Sequence, residues 1–251
     1  MNKKRCLLSV LLLPWLAGLF TLQAQEPAGT SDARNTIAGL GASPTVDRIS
    51  LLLDYETGYG GAIYPVYNPY VFFTNGTVVK EPKTAVEDLD HKARSKEEGR
   101  WGKWKQAGNK VKIAWDGLNR KGKVETSEKD WPGHQAYPAG ATEKLDGAWS
   151  TIGGGGNLAF GGSIGIVATK DFRFTPDGRF TTGSMAGISA PGQVGRSQKS
   201  AAGSYTLSHH TLELKFDNGQ TKKLFFCYMG KEKKDVLRIG GSAYTPSKKK
   251  P

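Results

Sequence analysis

The sequence predicts an all-β protein built as a tandem duplicated antiparallel β-meander, and three observations carry that expectation. Phe172-Arg-Phe-Thr-Pro-Asp-Gly-Arg-Phe180 reads as strand, tight turn and strand, and Tyr70-Val-Phe-Phe-Thr-Asn-Gly-Thr-Val-Val79 echoes it. Each copy follows a Gly-Gly pair (Gly60-Gly61, Gly161-Gly162) and precedes a long polar loop, a Gly-x-aromatic strand and a second turn. The chain has 33 glycines against 12 prolines and a hydrophobic fraction of 37%, a balance that suits turn-rich sheet better than a helical bundle.

The chain opens on a targeting pattern. Lys3, Lys4 and Arg5 precede an apolar run from Leu7 to Leu22, broken by Pro14 and Gly18, and Ala24 offers a small residue for cleavage. This is the layout of a signal peptide over residues 1–24, and the apolar run is short of the ~20 residues of a membrane span. The expected location is therefore exported, periplasmic or extracellular. Cys6 lies beside the basic cluster, too early for a lipid-attachment cysteine. Loss of Lys3, Lys4 and Arg5 takes three positives from the +12 of the whole chain and leaves +9. It also leaves Cys227 as the one cysteine, so an intramolecular disulfide is ruled out and the fold must be stabilised by burial. Residues 25–46 are small and polar and read as a flexible leader.

The first β repeat is placed at residues 47–140. Ile49, Leu51, Leu53 and Tyr55 alternate with Ser50, Leu52 and Asp54, which favours a half-buried strand over a short helix behind Pro44. Residues 62–67 and 70–73 are aromatic and β-branched but carry Pro65 and Pro69, so an edge or bulged strand is expected. Asn75-Gly76 supplies a two-residue hairpin, and that turn explains the Asn-Gly-Thr glycosylation pattern without a sugar. Residues 83–99 form a mixed-charge, solvated loop. Beyond it, Val111, Ile113 and Trp115 share an apolar face while Lys110, Lys112 and Ala114 share the other.

The second β repeat is placed at residues 141–246, followed by a basic tail over 247–251. The Gly153–Gly156 run lacks the Gly-Lys-Ser/Thr ending and the βαβ context of a phosphate loop, and reads as a flexible connection. Residues 183–203 read as a long small-residue loop carrying Arg196 and Lys199. Leu212, Leu214 and Phe216 then alternate, Asn218-Gly219 turns the chain, and Val236 to Ile239 forms a last strand. Each repeat offers five or six strands, which leaves open two small barrels or two sheets sharing one core.

Two resemblances follow from these residues. Leu145-Asp-Gly147-Ala-Trp149 is similar to the Gly-x-Trp opening strand of lipocalins and avidin-like barrels, and that likeness implies a barrel holding a small hydrophobic ligand. The Phe-x-x-Asp-Gly-x-Phe, Gly-x-Tyr, Leu-x-Leu and Gly-Gly-x-x-Tyr series resembles a wider group of exported bacterial proteins of uncharacterised function, which brings no activity with it.

The residue chemistry favours binding over catalysis. The four histidines lack zinc-like spacing to cysteine, and His209-His210 fall where a turn is expected. Cys227 shares a face with Phe225 and Met229 and reads as an inert buried thiol. No Gly-x-Ser-x-Gly elbow occurs, and no catalytic, metal or cofactor residue is assigned. Candidate ligand residues are Arg100, Trp101, Trp104, Lys110, Lys112, Trp131, Arg196 and Lys199. Trp104 and Trp131 have no strand periodicity and serve best as aromatic platforms, whereas Trp115 and Trp149 fit inward positions. The lysines of the first repeat form a basic face suited to polyanions such as lipopolysaccharide or an acidic glycan, with nucleic acid a weaker fit. The expected function is therefore an exported, non-catalytic contact to envelope polyanions or glycans. A carrier of a small hydrophobic ligand, and an enzyme acting on a cell-wall or glycan substrate, are the alternatives.

Overall fold

A computed structural model describes residues 44–57, 63–156, 162–163, 165–191, 193–231 and 234–247. The expected signal peptide, nearly all of the leader, Gly60-Gly61, Gly161 and the terminal lysines lie outside the described residues. The described chain is all-β, and its one 3-10 turn, Val86–Asp88, sits in the charged loop.

The first repeat is a meander of β1 (Val46–Thr57), β2 (Ile63–Phe73), β3 (Thr77–Lys80), β4 (Arg100–Ala107), β5 (Lys110–Leu118) and β6 (Val124–Asp130), with β7 (His134–Gln135) added beside β1. β1 is a strand, as its alternation predicts, but Leu51 and Leu52 are both 1% exposed. Its middle is thus covered on both faces rather than one. The reason is that the sheet curls. Lys129 on β6 reaches β1, with its Nζ 2.9 Å from the Leu53 carbonyl and 2.6 Å from Asp54 Oδ1. Leu52, Tyr70, Phe72, Val78, Val111, Ile113 and Trp115 fill the concave side.

β2 is one unbroken strand, paired with β1 from Ile63 to Phe73 but with β3 only over Tyr70–Phe72. The Pro69 carbonyl accepts from Glu81 N–H on the β3 side, so Pro69, and by parity Pro65, direct their missing donors away from β1. Residues 63–69 therefore keep one free edge, which is how two prolines are accommodated. The β2–β3 loop has three residues, Thr74 to Gly76, rather than the expected two: Gly76 N–H donates to the Phe73 carbonyl and Gly76 has a positive φ of 77°. Gly178 and Gly219 close their turns in the same way, at φ 85° each.

The second repeat comprises β8 (Gly147–Gly156), β9 (Gly165–Phe174), β10 (Arg179–Ala190), β11 (Gln193–Ser208), β12 (Thr211–Phe216), β13 (Thr221–Tyr228), β14 (Leu237–Ile239) and β15 (Ser242–Pro246). These eight strands form a closed antiparallel barrel. Two sequence expectations are corrected here. The small-residue segment over 183–203 is not a loop but two long strands in continuous register from Arg179↔Ser204 to Ala190↔Gln193. The Gly153–Gly156 run is likewise the end of β8, paired from Gly153↔Ala168 to Gly156↔Gly165. Backbone pairing does not require large side chains, so a run of Gly, Ala, Ser and Thr extends a sheet wherever neighbouring strands already fix its register.

Strand for strand, β1 to β6 answer β8 to β13, and the barrel owes its closure to β14 and β15, which the first repeat lacks. The barrel has its own core of Leu145, Trp149, Phe172, Phe174, Phe180, Tyr205, Leu212, Leu214, Phe226, Leu237 and Tyr244. The convex face of the first sheet packs against its outside, where Leu51, Val71, Phe73, Val79 and Trp101 meet Phe225 and Cys227 of β13. Arg238 of β14 completes the joint by donating to Asn68 Oδ1 at 2.8 Å and to the Tyr67 carbonyl.

Candidate functional site

Inside the barrel, side chains alternate along each strand between the interior and the outside. On β9 the interior set is Lys170, Phe172 and Phe174, with both phenylalanines buried. On β13 it is Lys222, Leu224 and Phe226, and on β11 it runs from Tyr205 through Gly203 and Ala201 to Lys199. Three lysines therefore stand in phase with the apolar face of three different strands, at the same end of the barrel. The pairings Lys170↔Ser184 and Ser184↔Lys199 put two of them in one row across β9, β10 and β11. Two strand spacings separate their backbones, about 10 Å.

Below that row the barrel mouth is an open cavity of about 440 Å³. Phe172, Leu214, Phe216, Leu224 and Tyr244 give it an apolar floor, and Lys170, Lys199 and Lys222 are its charged residues. No carboxylate lines it, and among the described residues none of the three lysines has an acidic partner. Lys222 instead sits with Nζ 5.9 Å from the Phe216 ring centroid. Burial, with some help from Asp171, pushes the Tyr244 hydroxyl up to about 12, so it remains a neutral hydrogen-bonding group at physiological pH. The Trp149 indole, one row below the lysines, is buried with no hydrogen-bond partner among the described residues.

The candidate residues of the first repeat are placed differently. Arg100 pairs with Glu125 at 2.8 Å and lies 4.4 Å over the Trp115 ring. Lys110 pairs with Asp130 at 2.5 Å and Lys112 with Glu128 at 3.5 Å. All three carboxylates come from β6, whereas among the described residues Lys103, Lys105, Lys121 and Lys123 form no ion pair. Trp101 is 3% exposed, stacked on Phe73 in the core against the barrel, and is not a surface platform. Trp104 and Trp131 do come together, 5.4 Å apart and nearly parallel, but both close over Phe72 edge-on and Trp104 Nε1 donates to the Phe73 carbonyl. They cap the concave core. Arg196 and Lys199 lie on β11, away from this group and beside the barrel mouth.

The first sheet has a polar centre of its own. Asp54 accepts from Tyr70 at 2.9 Å and Asn68 at 3.2 Å and pairs with Lys80 and Lys129. Burial works to raise its carboxyl, but the hydrogen bonds from Lys129 and Lys80 outweigh it and hold it below the ordinary range. Both carboxylate oxygens of Asp54 have partners, and the Lys129 contacts close the seam between β1 and β6. Beside it, the charged loop and β3–β5 frame a groove of about 540 Å³ lined by Lys80, Lys83, Arg94, Lys96 and Arg100 against Glu81 and Asp116.

Sequence reasoning missed Lys170 and Lys222. The signal was present: Lys-x-Phe-x-Phe over 170–174 and Lys-x-Leu-x-Phe over 222–226 each place a lysine in phase with an inward apolar set. It missed β6 because Val124-Glu-Thr-Ser-Glu-Lys-Asp130 has no apolar alternation. Among the described residues no three His, Cys, Asp or Glu converge as a metal site, and no helix is long and apolar enough to cross a membrane. No family model, curated protein or solved structure matches this chain.

Proposed function

We propose that this is an exported, non-catalytic binding protein whose barrel mouth takes a small anionic amphiphile. The apolar body packs against Phe172, Leu214, Leu224 and Tyr244, and a carboxylate or phosphate head sits among Lys170, Lys199 and Lys222. One observation carries the reading: three lysines point the same way as the barrel's apolar face, with no carboxylate beside them. Like charges gathered without a counter-charge cost free energy that an anionic partner recovers. The cavity, at about 440 Å³, falls in the size range of small-molecule sites. Calorimetric titration with dodecanoate and with dodecanol tests the reading. Dodecanoate should bind at least about thirtyfold more tightly, as two or three ion pairs of about 1 kcal/mol each would give. Equal affinities, or no binding of either, would overturn it.

A second reading keeps the polyanion or glycan contact and moves it to the groove of the first sheet. Its support is the lining, where five cationic residues face two acidic ones. Binding of an acidic oligosaccharide that weakens on Lys83→Glu and Lys96→Glu, both on the charged loop, is the outcome that reading requires.

A further inference from the structure

Four strands outrun the barrel. β15 pairs with β8 only at Trp149 and Ser150, and β12 pairs with β11 only from Gly203 to Ser208. Beyond those points β8, β9, β10 and β11 continue as a four-stranded sheet, held by β9 and β10 in the middle. From Ser184, in the lysine row, to Ala190 the sheet projects six residues, roughly 20 Å. Ile152 is 74% exposed, and Ile166, Val167, Met185 and Ile188 are all exposed on it. Ile152, Val167 and Met185 lie on the outer face, while Ile166 and Ile188 lie on the face that continues down into the mouth. No Asp or Glu occurs in β8 beyond Ser150, in β9 before Asp171, in β10 or in β11. The charges there are Lys170, Arg196 and Lys199.

We infer that this projecting sheet is a docking element for an anionic lipid surface, entering it end-on and holding the barrel mouth against it. Exposed apolar side chains on both faces of one projection have no partner within the described chain. An all-cationic charge set complements an anionic headgroup layer, in which each Lys or Arg adds about a fivefold gain in binding. The outer edges, β8 over Thr151–Gly156 and β11 over Gln193–Ala202, pair with no other described strand. Unpaired backbone groups do not enter hydrocarbon, so the sheet stops at headgroup depth, where water satisfies them. Pairing of β11 with β11 of a second copy would crowd two Arg196 and two Lys199 onto one shared edge, which disfavours self-association there. The inference rests in part on the ligand reading, because Lys170 and Lys199 serve both: a lipid surface is the source from which an anionic amphiphile would enter the mouth.

Flotation of the full-length processed chain with vesicles of phosphatidylcholine, with and without phosphatidylglycerol, tests it. Binding is expected to the anionic vesicles, to weaken as salt rises, and to fall about tenfold or more in an Ile152→Ser/Met185→Ser variant. Lys222→Met, on the opposite wall of the barrel and outside the projecting sheet, should weaken dodecanoate binding in solution far more than vesicle binding. Ile152→Ser/Met185→Ser should do the reverse, so failure of docking and failure of the ligand reading are told apart. No binding to either vesicle, binding indifferent to phosphatidylglycerol, an unchanged Ile152→Ser/Met185→Ser variant, or dimerisation that this variant abolishes would each overturn the inference.

Discussion

Replacing Lys170, Lys199 and Lys222 together by methionine keeps the length of each side chain and removes three positive charges from the barrel mouth. Lys170 and Lys199 stand about two strand spacings apart, roughly 10 Å, so a head group between them lies about 5 Å from each. Unit charges at about 5 Å interact by roughly 0.8 kcal/mol in bulk water and roughly 3 kcal/mol at an effective dielectric constant of about 20. All three lysines are solvent-exposed, so the lower part of that range applies, about 1 kcal/mol each at physiological ionic strength. The triple variant should therefore lose roughly a hundredfold in affinity for dodecanoate and change little for dodecanol, whose binding draws on the apolar floor alone. The assay is a two-by-two calorimetric comparison of protein and ligand, repeated at low and high salt. Circular dichroism and thermal melting establish that the variant is folded, which exposed lysines beyond the packed core should permit. If wild type and variant show the same dodecanoate-to-dodecanol ratio, the lysines are only a solvated rim and the reasoning fails.

Three further outcomes test the fold. His210 is 3% exposed with Nδ1 3.0 Å from the Phe226 carbonyl, and burial pushes its pKa down to about 4. The folded value lies below the unfolded one, so the unfolded chain takes up the proton first. Stability should drop by about 3 kcal/mol as pH falls from about 6.5 to about 4, and His210→Asn should flatten that part of a urea-denaturation profile. At Gly203 a Cβ would stand 2.1 Å from the Lys215 carbonyl oxygen, so Gly203→Ala must break the β11–β12 pairing and should cost about 3 kcal/mol. Gly153→Ala, with no atom within 4 Å, should cost almost nothing by the same melting measurement. Burial pushes the Cys227 thiol up to about 12, so a thiol reagent should label it only after denaturation, as read by peptide mass. Rapid labelling of the folded protein would contradict its place in the interface core.

Much of the architecture was legible because it depends on local signals. Asp177-Gly178 and Asn218-Gly219 require positive φ, and the alternations at Val111–Trp115 and Leu212–Phe216 assign an inside and an outside. What stayed hidden depended on partners distant in sequence. Leu52 and Asp54 gave no sign that β1 is covered on both faces, because the second cover is the sheet's own curl, closed by Lys129 from β6. Trp101 alternates no differently from an exposed tryptophan, and only the barrel wall at Phe225 and Cys227 buries it. The pairing of Arg100, Lys110 and Lys112 stayed hidden for a similar reason, since their carboxylates lie on β6, which has no apolar period.

The duplication itself explains why the proposed ligand site belongs to the second repeat. Both meanders place lysines in phase with inward apolar residues: Lys80 follows Val78 as Lys170 precedes Phe172. In the first repeat the sheet stops short of closure, and its inward charges are consumed in internal ion pairs: Lys129 joins Asp54 across the open seam, while Lys80 on Asp54 and Arg100 on Glu125 pair within the sheet. In the second, β14 and β15 close the barrel through backbone hydrogen bonds, and no ion pair is required to hold the ring. Its inward lysines are thereby left without internal partners. Closure by hydrogen bonds frees charge for recognition, whereas closure by salt bridges consumes it. A Lys129→Met variant should therefore loosen the first sheet, exposing Tyr70 and Asp54 to faster hydrogen exchange around β1 and β2, without altering dodecanoate binding at the barrel. Loss of ligand binding in that variant would place the site, or its support, in the wrong repeat.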